Sequence, residues 1–88
     1  MSTTVQRLQW DGHPVELGHL FSVHKDRGDK RLEAVCRLLS HQLGWEVRLE
    51  VNGDLQRSEV FRSQDEVLTA VDRWKAGLSD KGWLSSSD

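Results

Sequence analysis

The 88-residue sequence predicts an α+β domain, an antiparallel β-meander of four or five strands packed against one C-terminal α-helix. Three observations predict it. Residues 45–51 alternate apolar and charged side chains up to an Asn52-Gly53 pair. Residues 63–83 carry an apolar stripe at helical spacing between a start signal and a stop signal. Short apolar runs also follow Asp11-Gly12 and the Asp26-Arg27-Gly28-Asp29 segment, as strands follow tight turns.

Taken in order, Val5 to Trp10, Asp11-Gly12, and Val15 to His24 read as a first hairpin. Val15, Leu17, Phe21 and Val23 would share one face, with a partly buried His19 between them. Asp26-Arg27-Gly28-Asp29 is a turn into the next element. Residues 29–43 admit two readings. Leu32, Val35, Cys36, Leu39 and Leu43 form a helical stripe, whereas Leu32, Ala34, Cys36 and Leu38 alternate as in a strand. A helix here would begin with Lys30 and Arg31, the wrong sign for its dipole, and would lack a capping box, so the strand is favoured. The helical reading gives the alternative fold, a (ββα) unit occurring twice.

Trp45, Val47, Leu49 and Val51 then define a strand with one buried face. A return strand runs from about Leu55 to Arg62. A two-residue loop would oppose Arg48 to Arg57 and Glu46 to Glu59. A three-residue loop, Asn52 to Asp54 with a bulge near Gly53, avoids both and sets Trp45 opposite Phe61. Ser63-Gln64-Asp65-Glu66 matches a capping box. Val67, Leu68, Val71, Trp74 and Leu78 supply the stripe, and both Trp45 and Trp74 belong to the core. Gly82 stops the helix with Trp83 set against Leu78 in a Schellman arrangement. Residues 1–84 read as a single domain and 85–88 as a disordered polar tail.

Composition narrows the function. Twelve basic against 14 acidic residues give a net charge of −2, unlike a strongly electropositive nucleic-acid binder. A single Cys rules out an intramolecular disulfide framework and suits a reducing compartment. No signal-peptide pattern, lipidation pattern or apolar run of membrane length appears, so a cytoplasmic location is expected.

The segments Ser40-His41-Gln42-Leu43-Gly44-Trp45-Glu46-Val47-Arg48-Leu49, Arg57-Ser58-Glu59-Val60, Asp65-Glu66-Val67-Leu68, Trp74-Lys75 and Lys81-Gly82-Trp83 span about half of the chain. Together they resemble a group of small uncharacterised bacterial proteins. The resemblance implies a bacterial origin and agrees with the strand reading, but it carries no catalytic signature and transfers no site residues.

The residues point to binding rather than catalysis, and no cofactor or metal is expected. His13, His19, His24 and His41 match no zinc spacing, and no paired Cys motif accompanies them. On a strand, His19 and His24 would face opposite sides. Cys36 sits among Val35, Leu38 and Leu39 and reads as core rather than as a nucleophile. The seven glycines are isolated and form no phosphate loop. Two surfaces remain. Trp10 has no packing role in this scheme, and with Leu20 or Leu39 it would make a surface for a protein partner or a homodimer. Lys25, Arg27, Lys30 and Arg31 cluster around one turn and are the candidate nucleic-acid contacts, with Arg37, Arg48, Arg57 and Arg62 expected on the sheet's outer face. The competing account of those charges is a solvated sheet face with mixed signs paired across strands.

Overall fold

A computed structural model of the chain describes residues 14–86. It shows the predicted α+β meander. Strands β1 (Glu16–Arg27), β2 (Lys30–His41), β3 (Gly44–Val51) and β4 (Asp54–Phe61) are followed by helix α1 (Gln64–Asp80) and a short β5 (Leu84–Ser85). The sheet is antiparallel in the order β4-β3-β2-β1-β5, so the helix carries the chain from one edge of the sheet to the other. The ambiguous segment is a strand, and the twice-repeated (ββα) arrangement is not formed. The expected Val5–Trp10 strand, its Asp11-Gly12 turn and His13 lie outside the described residues. Ser85 pairs in β5 and the Ser86 amide donates to the Ser22 carbonyl at 3.0 Å, so the tail expected from residue 85 is held as far as Ser86.

Three turns set the register. Gly28 takes a positive φ of 67° at the first position of the two-residue β1–β2 turn. Gln42 and Leu43 close the β2–β3 turn, where the Leu43 amide donates to His41 Nδ1 at 3.0 Å. The β3–β4 turn corrects the expected three-residue loop. Asn52 (φ 50°) and Gly53 (φ 88°) form a two-residue turn, with Val51 opposite Asp54. The extra residue is accommodated in β4, where the register shifts between Glu50↔Leu55 and Leu49↔Arg57. Beyond that bulge Arg48 faces Ser58, Glu46 faces Val60 and Trp45 faces Phe61, so the like-charge pairs are avoided. Asn52 also ties its turn to β2. Its amide donates to the Glu33 carbonyl at 2.8 Å, and its Oδ1 accepts from the Glu33 amide at 2.9 Å.

The core lies between one sheet face and α1. Phe21, Cys36 and Leu49 align across β1, β2 and β3, with Val23, Ala34 and Val51 in the next row. Val67, Ala70 and Trp74 of the helix close over this face. Two bulges in β1, at Leu17 and Leu20, break its alternation. Phe21 and Val23 are therefore core while Val15 and Leu17 are exposed, and His19 is exposed rather than partly buried. Two further expectations are corrected here. Leu68 sits at the margin of the helical stripe and is exposed, and Trp45 is half-buried at the core's edge.

The helix ends follow their sequence signals. The Glu66 amide donates to Ser63 Oγ at 3.2 Å, while the Glu66 carboxylate accepts from the Arg62 amide at 3.1 Å, one residue earlier than a standard capping box. At the other end Trp83 donates to the Leu78 carbonyl and Gly82 (φ 95°) to that of Ser79, a complete Schellman motif.

Gly44 is the least replaceable glycine. It has φ 146°, and a Cβ there would overlap the Phe61 carbonyl oxygen and approach Arg62 Cα to 3.1 Å. Gly44→Ala is expected to lower the unfolding free energy in urea by at least about 2 kcal/mol, because both colliding groups are backbone.

Candidate interaction surface

The sheet face away from α1 is charged, and its charges are paired. Arg37 Nη1 lies 2.9 Å from Glu16, and Arg37 Nε lies 3.2 Å from Glu50. Arg48 Nε lies 2.8 Å from Glu46 on its own strand. Hydrogen bonds to Glu50 and then Glu16 hold the Arg37 guanidinium above its ordinary pKa, and the bond to Glu46 does the same for Arg48. Arg37 and Arg48 stand directly opposite each other, so these carboxylates offset what would otherwise be a repulsive pair.

The four residues of the predicted basic turn do not share one surface. Lys25, Arg27 and Lys30 have the strand parity of the helix-covered face, whereas Arg31 alternates to the other face and lies 3.3 Å from Glu33. Lys25 has a structural task. Its Nζ donates to the Lys81 carbonyl at 2.7 Å, at the C-terminus of a helix with no basic residue in its last turn. A cation from β1 thus meets the negative end of the helix dipole.

The proposed apolar surface is also divided. Leu39 is buried at 8% exposure, with strand parity opposite to Leu38, and so offers no contact area. Leu20 is half-buried on the helix side, in a notch of about 190 Å³ lined by Leu38, Trp45, Gln64, Val67 and Leu68. Trp10 lies outside the described residues.

The two sheet edges differ. The outer edge of β4 carries Asp54, Arg57 and Glu59, charges that discourage strand addition. The outer edge of β1 is covered by β5 at Val23 and His24, with one further bond from Ser86 to Ser22. Across Glu16 to Phe21, no strand pairs with that side among the described residues. This stretch contains no Lys or Arg. Beside it a cavity of about 410 Å³ is lined by His19, Ser22, Lys75, Ser85 and Ser86, among others, and His19 Nε2 lies 2.6 Å from Ser22 Oγ.

A second cleft holds residues that the sequence reading did not assemble. Arg57, Arg73 and Lys81 line it together with Trp74 and Gly77. The signal available in the sequence is the spacing Arg73, Gly77, Lys81, one residue every four on a helix.

Cys36 is fully buried, and desolvation pushes its thiol up to about 12. It is expected to resist alkylation at pH 8 in the folded protein and to react only on unfolding, as followed by mass spectrometry. The unfolded thiol ionises near 9, so the unfolding free energy falls as pH climbs from about 9 through 12, where the folded state retains the proton.

Lys25→Met is expected to cost about 1 kcal/mol of stability by removing the charged donor from the helix terminus. The difference should shrink between low and high salt in parallel thermal melts. Among the described residues no helix is long and apolar enough to cross a membrane, and no His, Cys, Asp and Glu group forms a metal-ligand cluster. Comparison with protein-family models, curated proteins and solved structures finds no match.

Proposed function

We propose that this is a small non-enzymatic binding protein that self-associates by strand addition along the outer edge of β1. The observation that carries this reading is the contrast in charge between the edges: β4 carries Asp54, Arg57 and Glu59, whereas Leu17 to Phe21 of β1, unpaired on its outer side among the described residues, contains no Lys, Arg, Asp or Glu. Two copies meeting through the same edge across a twofold axis would continue the antiparallel sheet, each pairing with hydrogen-bonding groups that no described strand of the other takes up. The exposed Leu17 and Val15 would add apolar area at the join. A free, buried thiol suits the cytoplasm of a bacterial cell.

The alternative, nucleic-acid binding through Lys25, Arg27, Lys30 and Arg31, draws less support from the geometry. Lys25 is committed to the helix terminus, Arg31 pairs with Glu33 on the other face, and the sheet arginines Arg37 and Arg48 are already matched by carboxylates.

Analytical ultracentrifugation should show a concentration-dependent monomer–dimer equilibrium, with slower amide exchange from Glu16 to Phe21 at higher protein concentration. Leu17→Lys, which adds the natural guard of an edge strand, should shift the equilibrium at least about tenfold toward monomer. A protein that stays monomeric at millimolar concentration, or a dimer indifferent to Leu17→Lys, would falsify the proposal.

A further inference from the structure

The geometry points to a binding site for a small phosphoryl anion in the cleft between the C-terminal half of α1 and β4. The cleft has a volume of about 190 Å³ and is lined by Leu49, Arg57, Arg73, Trp74, Gly77, Leu78 and Lys81. Three side chains there are cationic and none is acidic. Cations gathered around one apolar-floored cleft repel each other, and a multivalent anion relieves that repulsion.

Two features prepare the cleft for such a ligand. Arg57 is held with its guanidinium carbon 4.4 Å from the centroid of the buried Trp74 ring, which fixes a planar fork at the wall. Its other partner, Glu59 at 3.6 Å, is an exposed neighbour that does not line the cleft. Lys25 meanwhile donates to the Lys81 carbonyl and so offsets part of the negative end of the helix dipole, which would otherwise oppose an anion nearby.

Gly77 is the independent observation. It interrupts a 17-residue helix, where glycine weakens the helix relative to alanine. No packing contact requires it, since a Cβ built at Gly77 meets nothing within 4 Å, and its φ is not positive. The missing side chain leaves room in the cleft instead. Two arginines and a lysine among the residues lining this small volume suit the oxygens of a phosphoryl group, which accept several charge-assisted hydrogen bonds at once. The site lies on a different part of the molecule from the β1 edge and does not depend on self-association.

The test is calorimetric titration of the full chain at low salt with two probes, pyrophosphate and glycerol 3-phosphate, paired with amide-shift mapping. Saturable binding of either, with shifts centred on Arg57 and residues 73–81, is expected, and the tighter probe shows whether the inorganic or the organic phosphate is preferred. The R73E/K81E double variant, which alters two exposed side chains, should retain the native circular dichroism and bind at least tenfold more weakly. Gly77→Ala should raise the melting temperature by about 4 °C or more and weaken binding several-fold, a combination that a merely structural role would not produce. The site is disproved by the absence of saturable binding, by affinity unchanged in either variant, or by binding of a single-stranded oligonucleotide without binding of either probe.

Discussion

The structure depends on the packing of one helix over the middle of a twisted sheet. Trp74 and Val67 descend onto a face whose central strand presents Ala34 and Cys36, both with no exposed surface. Small side chains at the centre let the helix come close, and the larger Phe21, Val23, Val47 and Leu49 fill the space on either side. A chain of this size buries a modest share of its surface, so this single contact layer supplies most of the hydrophobic stabilisation available. The strand order, the two helix caps and the β5 pairing all serve to keep the helix seated there. The fully buried thiol is therefore a packing element of fixed volume, and a bulkier residue at Cys36 would lift the helix.

The opposite face follows a different logic. With no helix over it among the described residues, the sheet carries Arg37, Arg48, Glu16, Glu46 and Glu50 in alternating positions that neutralise one another. Partly exposed pairs of this kind contribute little to stability. Their effect is instead to offset the repulsion that the register creates, since Arg37 stands opposite Arg48 with Glu50 and Glu46 on either side of it. The same constraint explains the β4 bulge, which reconciles a tight Asn52-Gly53 turn with a strand that must avoid opposing like charges.

Local rules made most of the fold legible. The helix was readable at both ends because Ser63, Glu66 and Gly82 each act within one turn of the backbone. The β3–β4 register was readable from Arg48, Arg57, Glu46 and Glu59 because charge repulsion across a ladder is a pairwise property. What escaped was everything that needs two distant segments. The parity break in β1 arises from bulges at Leu17 and Leu20 that no residue type announces, and with it went the placement of His19. The service of Lys25 to Lys81 joins positions 56 apart, and the burial of Leu39 depends on the whole sheet. The cationic cleft mixes Arg57 from a strand with Arg73 and Lys81 from a helix, so spacing along the helix revealed at most two of the three.

The bulge in β4 has a consequence for how such a chain changes length. The pairings on its two sides, Val51↔Asp54 near the turn and Trp45↔Phe61 far from it, are each complete without the extra residue. The hairpin therefore holds a removable position, and an indel at Gln56 leaves both flanking alignments and the Asn52-Gly53 turn in place. Outside the bulges of β4 and β1, a one-residue deletion in this sheet inverts every side chain beyond it. Length variation among chains built on this plan is thus confined to the bulges, and use of the one in β4 removes the local kink that a bulge brings to an outer strand.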